Sequence, residues 1–473
     1  MTGPNGTNAP ADLLPKAELE RILTEIMAKG GVPGVSFAVL EQGRAAWVRS
    51  LGVRSTESNE AADTDTVLAA ASFSKPVCAY LVMLLTQVGT LELDRPLEEC
   101  LGQPLGELPR YADLAGDERT GLITTRHVLS HSAGFPNSRL LTDDGKLRFL
   151  FDPGARFNYS GEGIALLQLV VEEVTGRGLE ELAQDRIFDP LGMTRTSYVW
   201  QDEFEDNHAV PHDEFERAKR LDRRRDADAV GSMMTTAGDY ARFLAALVSA
   251  EGEHRELVEA MLSPQVTIDS QQMFGPLWQR TAANEEIALA WGLGWGRFDT
   301  TRGRAFFHTG HDFGWQNYTV THFDAGTGVV FLSNSDNFES VAREMVAVAL
   351  GDESSPFDWL GYPVFDPAQR REPPPSPVAI ELERSVMEQY VGEYEFQGKR
   401  FNVHLRQDRL WLAEGGDETE LLALSETAFF IADDDTRFRF ELADDGTVER
   451  LVILVEGLEL PAPRLSPSPA PAP

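Results

Sequence analysis

Cysteine and long apolar runs are both scarce in this chain of 473 residues. The two cysteines, Cys78 and Cys100, exclude the disulfide framework that stabilises many small secreted domains. No apolar run approaches the roughly 18 residues of a membrane-spanning helix, so none is expected. The N-terminal segment lacks the basic start and apolar core of a signal peptide. The sequence therefore predicts a cytoplasmic protein, unless a leader has been removed.

Positive charge is scarce as well. The chain has 42 lysine and arginine residues against 76 aspartate and glutamate residues, for a net charge of −34. A protein of this charge repels nucleic acid and anionic membrane surfaces, so we expect neither as a partner. The acids are scattered along the chain, which favours a generally acidic, well-solvated surface. The expected partner is a small-molecule ester, amide or peptide substrate, and the oligomeric state is left open.

Hydrophobic patterning predicts an α/β (α+β) fold in the first three quarters of the chain. Strands lie at both ends of this region and helices fill its middle, which suggests one antiparallel sheet flanked by helices with a helical insert. The predicted strands are 34–40, 45–53, 305–308, 315–323 and 328–334. The predicted helices are 13–28, the apolar run after Ser72, 125–130, 163–175, 179–188, 236–250 and 340–349.

A proline-rich stretch divides this region from the rest. The segment 361–384 contains Arg-Glu-Pro-Pro-Pro-Ser-Pro and predicts an extended linker between two domains. After it, apolar residues alternate at period two between turn signals, which predicts a β-meander closed into a small barrel over 385–460. We therefore predict a disordered N-terminus (1–11), a first domain (12–360), the linker, the barrel and a disordered tail (461–473).

The clearest chemical signal is Ser72-Phe-Ser-Lys75, which precedes a strongly apolar helix. Lys75 lies one helical turn after Ser72, so its amine can reach the serine hydroxyl. A buried lysine loses its charge easily and can then accept the serine proton. Without other signals, Ser72 would more simply cap the helix while Lys75 lies on a solvated face. The apolar surroundings argue against that alternative, because a lysine in a buried helix requires a reason.

Two further segments carry candidate side chains. Tyr159 ends a turn-rich loop and could relay a proton if a neighbouring cation lowered its pKa, although an aromatic packing a loop is the simpler interpretation. His308 closes a predicted strand and could hold a positive charge at the reacting centre or orient Tyr159. A histidine at a strand end is otherwise usually a surface residue. The segment 127–136 is interpreted as a helix end and a structural turn.

A metal site is disfavoured. His208 and His212 are spaced for one helix face, but Pro211 would break that helix. We therefore expect no metal and no cofactor.

Taken together, these motifs resemble those of the serine β-lactamase and penicillin-binding-protein-like superfamily, in its class C-like branch of esterases and D-aminopeptidases. Ser72–Lys75 matches the first motif, the segment from Tyr159 to Gly161 matches Tyr-x-Asn, and His308-Thr-Gly310 matches Lys-Thr-Gly. Two positions depart from the pattern, since Gly161 replaces an asparagine and His308 replaces a lysine. The predicted barrel resembles the lipocalin-like domain appended to some members.

The resemblance implies a role for each matched residue. Ser72 would be the nucleophile, Lys75 and Tyr159 would share the general-base role, and His308 would assist through charge and hydrogen bonding. The backbone N–H groups of Ser72 and His311 would form the oxyanion hole. The remaining positions expected to line the substrate site are Thr309, Gly310 and Gly161.

The predicted function is hydrolysis of an ester or amide through an acyl-enzyme. Two alternatives remain open from the sequence. The same fold could transfer the acyl group to a nucleophile other than water, as in peptide-cyclising relatives. It could also bind a ligand without turnover.

Overall fold

A computed structural model describes residues 14–142, 144–351, 355–373, 375, 377–396, 399–414, 417–432, 436–455 and 458–465. The predicted disorder of 1–11 lies outside the described residues, as does the tail beyond 465. The chain divides into two units between Arg371 and Glu372, and each is described by itself. This division falls inside the segment predicted as a linker, while the predicted domain boundaries remain a prediction.

The first unit is built on an antiparallel sheet of eight strands in the order β2-β1-β10-β9-β8-β7-β6-β5, with a separate pair, β3 and β4. Its strands are β1 (Gly34–Glu41), β2 (Arg44–Gly52), β3 (Leu68–Ala69), β4 (Met234–Thr235), β5 (Val266–Thr267), β6 (Ala290–Trp291), β7 (Gly296–Thr300), β8 (Gly303–Asp312), β9 (Trp315–His322) and β10 (Thr327–Ser333). The N-terminal and C-terminal segments meet where β1 pairs with β10, with Val35 opposite Ser333.

Helices lie on both faces of this sheet. They are α1 (Lys16–Gly30), α2 (Ser74–Gln87), α3 (Leu97–Leu101), α4 (Thr125–Leu129), α5 (Gly161–Thr175), α6 (Leu179–Ala183), α7 (Asp189–Leu191), α8 (Ala237–Val248), α9 (Gly252–Leu262), α10 (Glu339–Leu350) and α11 (Phe357–Leu360). Two separate apolar clusters result. One includes the insert helices and α2, and the other includes α1 and α10. The predicted sheet with a helical insert is therefore confirmed.

Local sequence explains where the main helices begin and end. The Ser160 hydroxyl accepts the Gly163 N–H at 3.0 Å and caps α5, which ends at Gly176 in the left-handed conformation. Thr236 caps α8 in the same way by accepting the Asp239 N–H at 3.1 Å. The segment predicted as a helix over 179–188 continues through a π-helical turn, Gln184–Phe188, into α7.

One strand is longer than its sequence pattern predicts, and this changes the position of His308. The apolar pattern ends at His308, but β8 continues to Asp312, which lies opposite Trp315 of β9. The prediction that His308 closes its strand is therefore wrong. The cause is a hairpin that extends the ladder through Thr309, Gly310 and His311, and His308 is fully buried within it.

The second unit is a nearly closed antiparallel barrel. After α12 (Arg384–Met387), eight strands follow one another in chain order: β11 (Gly392–Phe396), β12 (Lys399–Arg406), β13 (Arg409–Glu414), β14 (Asp417–Ala423), β15 (Ala428–Phe430), β16 (Arg437–Leu442), β17 (Val448–Val455) and β18 (Leu458–Pro463). The first and last strands approach each other at a bridge between Tyr394 and Arg464.

The last strand differs from the prediction of a disordered tail from 461. Ala462 is fully buried opposite Leu451, and Pro461 and Pro463 also lie in β18. Alternate residues of a strand direct their N–H groups to opposite sides, so both prolines share the side that makes no ladder bond to β17. Proline is therefore compatible with this strand at the seam of the barrel.

Within the residues that the structure describes, no helix combines the length and apolar character needed to cross a membrane.

Candidate active site

Ser72 lies in a tight turn between β3 and α2. The turn is a 3₁₀ segment, Ala71–Phe73, and Ala71 before the serine has φ +47°, a left-handed conformation that is costly for a residue with a side chain. Ser74 holds the turn, because its hydroxyl donates to the Ala71 carbonyl at 2.7 Å and accepts the Met233 N–H at 3.1 Å. Such strain is typical of positions that present a functional side chain.

Lys75 contacts Ser72 directly. Its Nζ lies 2.9 Å from Ser72 Oγ and 2.7 Å from the Val230 carbonyl oxygen, and the residue is only 2% exposed. Burial lowers the pKa of Lys75 to about 7, opposed in part by the negative charges of Asp228 and Asp312. At neutral pH the amine is therefore poised between its charged and neutral forms and can accept the serine proton.

Tyr159 covers the same amine. The Lys75 Nζ lies 5.1 Å from the centre of the Tyr159 ring, and the ring is buried. Burial raises the pKa of Tyr159 well above its ordinary value, while the nearby Ser72 hydroxyl opposes this shift. The lowered pKa that a proton-relay role was expected to require is therefore absent, and Tyr159 is a neutral phenol. Its hydroxyl is buried without a hydrogen-bond partner among the described residues.

His308 is neutral rather than charged. Its Nδ1 lies 2.7 Å from the Thr309 carbonyl oxygen, which can only accept, so the proton is on Nδ1. Burial, with a smaller contribution from the Lys75 charge, lowers the pKa of His308 to about 3. The expectation of a positive charge here is wrong, because the imidazole is enclosed by aromatic rings, including those of Tyr159 and Trp295. The buried Nε2 is a free acceptor within the described part of the chain.

The end of β8 that follows Phe307, the last β8 residue paired with β7, packs against the Ser72 turn. A Cβ at Gly310 would lie 2.7 Å from the Ala70 carbonyl oxygen, so this close approach requires glycine. Asn317 of β9 fixes the same segment, since its Nδ2 donates to the carbonyls of Ala69 and Ala70 at 3.0 and 3.1 Å. The backbone of His311, the predicted oxyanion donor, follows Gly310 on this edge. Its imidazole is half-exposed and lies 3.0 Å from Glu339.

Two residues that were predicted to line the substrate site already bond to other residues of the protein. The Thr309 hydroxyl is hydrogen-bonded to the Tyr362 hydroxyl and is buried. Gly161 donates its N–H to the Asn137 carbonyl at 3.0 Å, and a Cβ there would lie 2.9 Å from that oxygen and 3.0 Å from Val230 Cγ1. The space that a side chain at 161 would enter is therefore filled by Asn137 and Val230.

The sequence interpretation missed His131, which lies in the segment taken as a structural turn. Its ring centre is 4.3 Å from that of Tyr159, and its Nδ1 accepts the Ser160 N–H at 3.2 Å. Burial is the main cause that holds the pKa of His131 well below its usual range, and the charge of Lys75 adds to it. His131 has φ +52°, a signal that only the structure reveals.

The residues spaced like metal ligands have other partners. His212 accepts the Thr56 N–H through Nε2 at 3.1 Å and faces the Asn334 carbonyl through Nδ1 at 2.9 Å. Among the described residues, no three histidine, cysteine, aspartate or glutamate side chains form a group that could hold a metal ion.

A comparison with family models decides the classification. The β-lactamase model matches residues 19–352, which is most of the chain. This chain belongs to the β-lactamase family. A second model, described as a domain of unknown function (DUF3471), matches residues 376–462, which span the barrel of this β-lactamase-family protein.

Individual relatives match all or part of this chain at low identity. Penicillin-binding protein 4* of Bacillus subtilis is 23% identical over 467 residues, covering 90% of this chain and 93% of that protein. Esterase EstB of Burkholderia gladioli is 27% identical over 209 residues, covering 39% of this chain and 51% of the esterase. The octameric penicillin-binding protein homologue from Pyrococcus abyssi superposes with a TM-score of 0.59 at 20% identity, covering 95% of this chain and all of that one. The structural likeness shows the fold.

Proposed function

We propose that this protein is a serine hydrolase that cleaves an ester or amide through an acyl-enzyme on Ser72. The observation that carries the proposal is the 2.9 Å contact between Ser72 Oγ and the buried Lys75 amine, whose pKa is lowered to about 7. A serine beside a base of matched pKa is the arrangement that nucleophilic catalysis requires.

In the acylation step, neutral Lys75 takes the proton from Ser72 as Oγ attacks the substrate carbonyl carbon. The backbone N–H groups of Ser72 and His311 stabilise the negative charge that develops on the carbonyl oxygen. The tetrahedral intermediate then collapses, the bond to the leaving atom breaks, and Ser72 carries the acyl group. Lys75 is left as the ammonium form.

The proton returns through Tyr159. As a neutral phenol, Tyr159 donates its proton to the leaving atom while it receives one from the Lys75 ammonium. A water molecule then attacks the acyl-enzyme, with neutral Lys75 again accepting a proton and Ser72 recovering it. The unprotonated Nε2 of His308 is an acceptor that can orient the Tyr159 hydroxyl or this water.

We further propose that activated short-chain esters are better substrates than β-lactams. Gly161 has no side chain to donate to a substrate amide, and its position is closed by Asn137 and Val230. A site that lacks a hydrogen bond to a polar substrate group loses discrimination for that group. Similarity to an esterase supports this preference.

Labelling by a fluorophosphonate tests the nucleophile. Intact-mass analysis should show one adduct, located at Ser72 and absent from Ser72→Ala. The matched control is Ser249→Ala, which removes an exposed serine at the end of α8 and should still be labelled. Labelling of Ser72→Ala together with retained activity would overturn the proposal.

Substrate preference is tested by comparing kcat/KM for p-nitrophenyl butyrate and nitrocefin on one preparation, with Ser72→Ala as the blank. We expect the ester to be preferred. A tenfold preference for nitrocefin, about 1.4 kcal/mol of transition-state binding, would make this protein a β-lactamase instead.

A further inference from the structure

Two exposed aromatic side chains lie in the segment between β5 and β6. Phe274 is 63% exposed and Trp278 is 77% exposed. An exposed large apolar side chain can mark a binding site. The location of each ring relative to the active site therefore matters.

The segment that carries them is held in place. Ser270 forms a bridge with Arg280, and the Gln271 N–H donates to the Gln279 carbonyl at 3.0 Å. The buried Met273 donates its N–H to the Trp359 carbonyl at 2.9 Å. The aromatic side chains are therefore presented from a fixed loop.

Phe274 contacts the catalytic tyrosine. Its ring centre lies 5.6 Å from that of Tyr159, in an edge-to-face arrangement at 82°. Tyr159 also lies close to Lys75, whose Nζ is 5.1 Å from the ring centre. Phe274 thus lies at the outer side of the buried catalytic group, with most of its own surface open to a ligand.

We propose that Phe274, in the loop that also carries Trp278, binds an apolar leaving group, so that esters of larger apolar alcohols are preferred. This inference rests on the proposed function. In that mechanism Tyr159 delivers the proton to the leaving atom, which must then lie within hydrogen-bond distance of the Tyr159 hydroxyl. An alkyl chain on that atom can extend along the phenol ring to the exposed face of Phe274, where covering apolar surface is favourable.

The test compares hexyl acetate with ethyl acetate on the full-length protein, with acetate release followed in a pH-stat. The two alcohols have similar pKa values, so the ratio of kcat/KM reports binding of the alkyl chain. We expect the wild-type ratio to exceed about 10, and Phe274→Ala to lower it at least about fivefold, since each buried methylene contributes to binding. An unchanged ratio in Phe274→Ala would overturn the inference.

A matched control is Val88→Ala, which removes an exposed apolar side chain at the far end of α2. Val88 lies 16 residues after Ser72, or roughly 24 Å along the helix, and is 64% exposed. This variant should keep the wild-type ratio. Loss of the preference in Val88→Ala as well would show that the effect is not local to Phe274 and would overturn the inference.

A second substrate series assigns the side of the scissile bond. Ethyl hexanoate and ethyl acetate differ only in the acyl group, and their ratio should be the same in wild type and Phe274→Ala. A fall in this ratio, with the alcohol series unaffected, would place Phe274 on the acyl side and overturn the proposal. Absence of any Ser72-dependent ester turnover would instead overturn the proposed function itself, and this inference with it.

Discussion

The two units bury different kinds of side chain. The core of the first unit contains groups that titrate, among them Lys75, His131 and His308. The barrel core is apolar apart from tyrosines, and the Tyr390 and Tyr394 hydroxyls each donate to a carbonyl, at 2.7 and 2.8 Å. Within the described part of the barrel, no lysine, arginine, histidine or acid is buried. Because burying an ionisable group is unfavourable unless it is compensated, its presence in one unit alone indicates where chemistry occurs.

The largest effect that would test this contrast is loss of the buried amine. Lys75→Met should lower kcat by at least about 10²-fold, the usual range for loss of a general base. The measurement is steady-state hydrolysis of p-nitrophenyl butyrate. Lys29→Met, which removes an exposed lysine paired with Glu344, should leave kcat near wild type. Near-wild-type activity of Lys75→Met would contradict the mechanism.

A substitution in the barrel core should lower the stability of the barrel rather than the activity. Phe440→Ala removes a buried ring packed on Tyr390 at 4.2 Å and should destabilise the barrel by about 3–5 kcal/mol. Hydrogen exchange of β16 in the full-length protein measures this loss, and kcat should change little. Leu442→Ala, on the same strand but 43% exposed, is the control. Equal protection in Phe440→Ala and Leu442→Ala would show that the ring is not part of a cooperative core.

The pH dependence should report the Lys75 amine. Only the neutral amine accepts the serine proton, so kcat/KM should fall about tenfold per pH unit below the pKa of about 7 and level off above it. His308 remains neutral throughout, because its pKa is lowered to about 3.

The pH below which kcat/KM falls can be shifted by substitution. The negative charge of Asp312 raises the pKa of Lys75, so Asp312→Asn should move the fall in kcat/KM to lower pH. If the fall in kcat/KM moves to higher pH, or does not move, a group other than Lys75 determines the pH dependence.

The smallest predicted effect concerns Thr309. Tyr362→Phe removes the hydroxyl that bonds to Thr309 and should lower the free energy of unfolding by about 0.5–1.5 kcal/mol with KM unchanged. Urea denaturation and steady-state kinetics measure the two quantities. Thr309→Val should behave in the same way. If only Thr309→Val raises KM, the hydroxyl contacts the substrate rather than serving Tyr362.

Sequence reasoning succeeded where the relevant partners are close in the chain. Ser72 and Lys75 are three residues apart, in the 3₁₀ turn and the first turn of α2, so their contact follows from local geometry. The sheet strands follow from runs and alternation of apolar residues. The burial of Lys75 was predicted from the apolar residues around it. The same local logic predicted the short strands of the barrel.

It failed where a property depends on partners brought together by the fold. The neutrality of His308 results from the rings around it, and the use of Thr309 depends on Tyr362, which lies 53 positions later. Phe274 and Tyr159 are more than 100 positions apart, and no pattern links them. Pro461 and Pro463 suggested disorder. They nevertheless fit into β18, because their positions at the barrel seam donate no N–H to β17.

The pairing of β1 with β10 has a consequence for synthesis on the ribosome. Strand partners here are about 300 positions apart, and the turn that presents Ser72 is held by Asn317 and closed by Gly310. Chains are synthesised from the N-terminus at about 5–20 residues per second, so Ser72 is made many seconds before the strands that hold its turn. A nascent chain truncated before Gly310 would contain both Ser72 and Lys75 but lack the strand segment that packs against their turn, so we expect it not to be labelled by a fluorophosphonate.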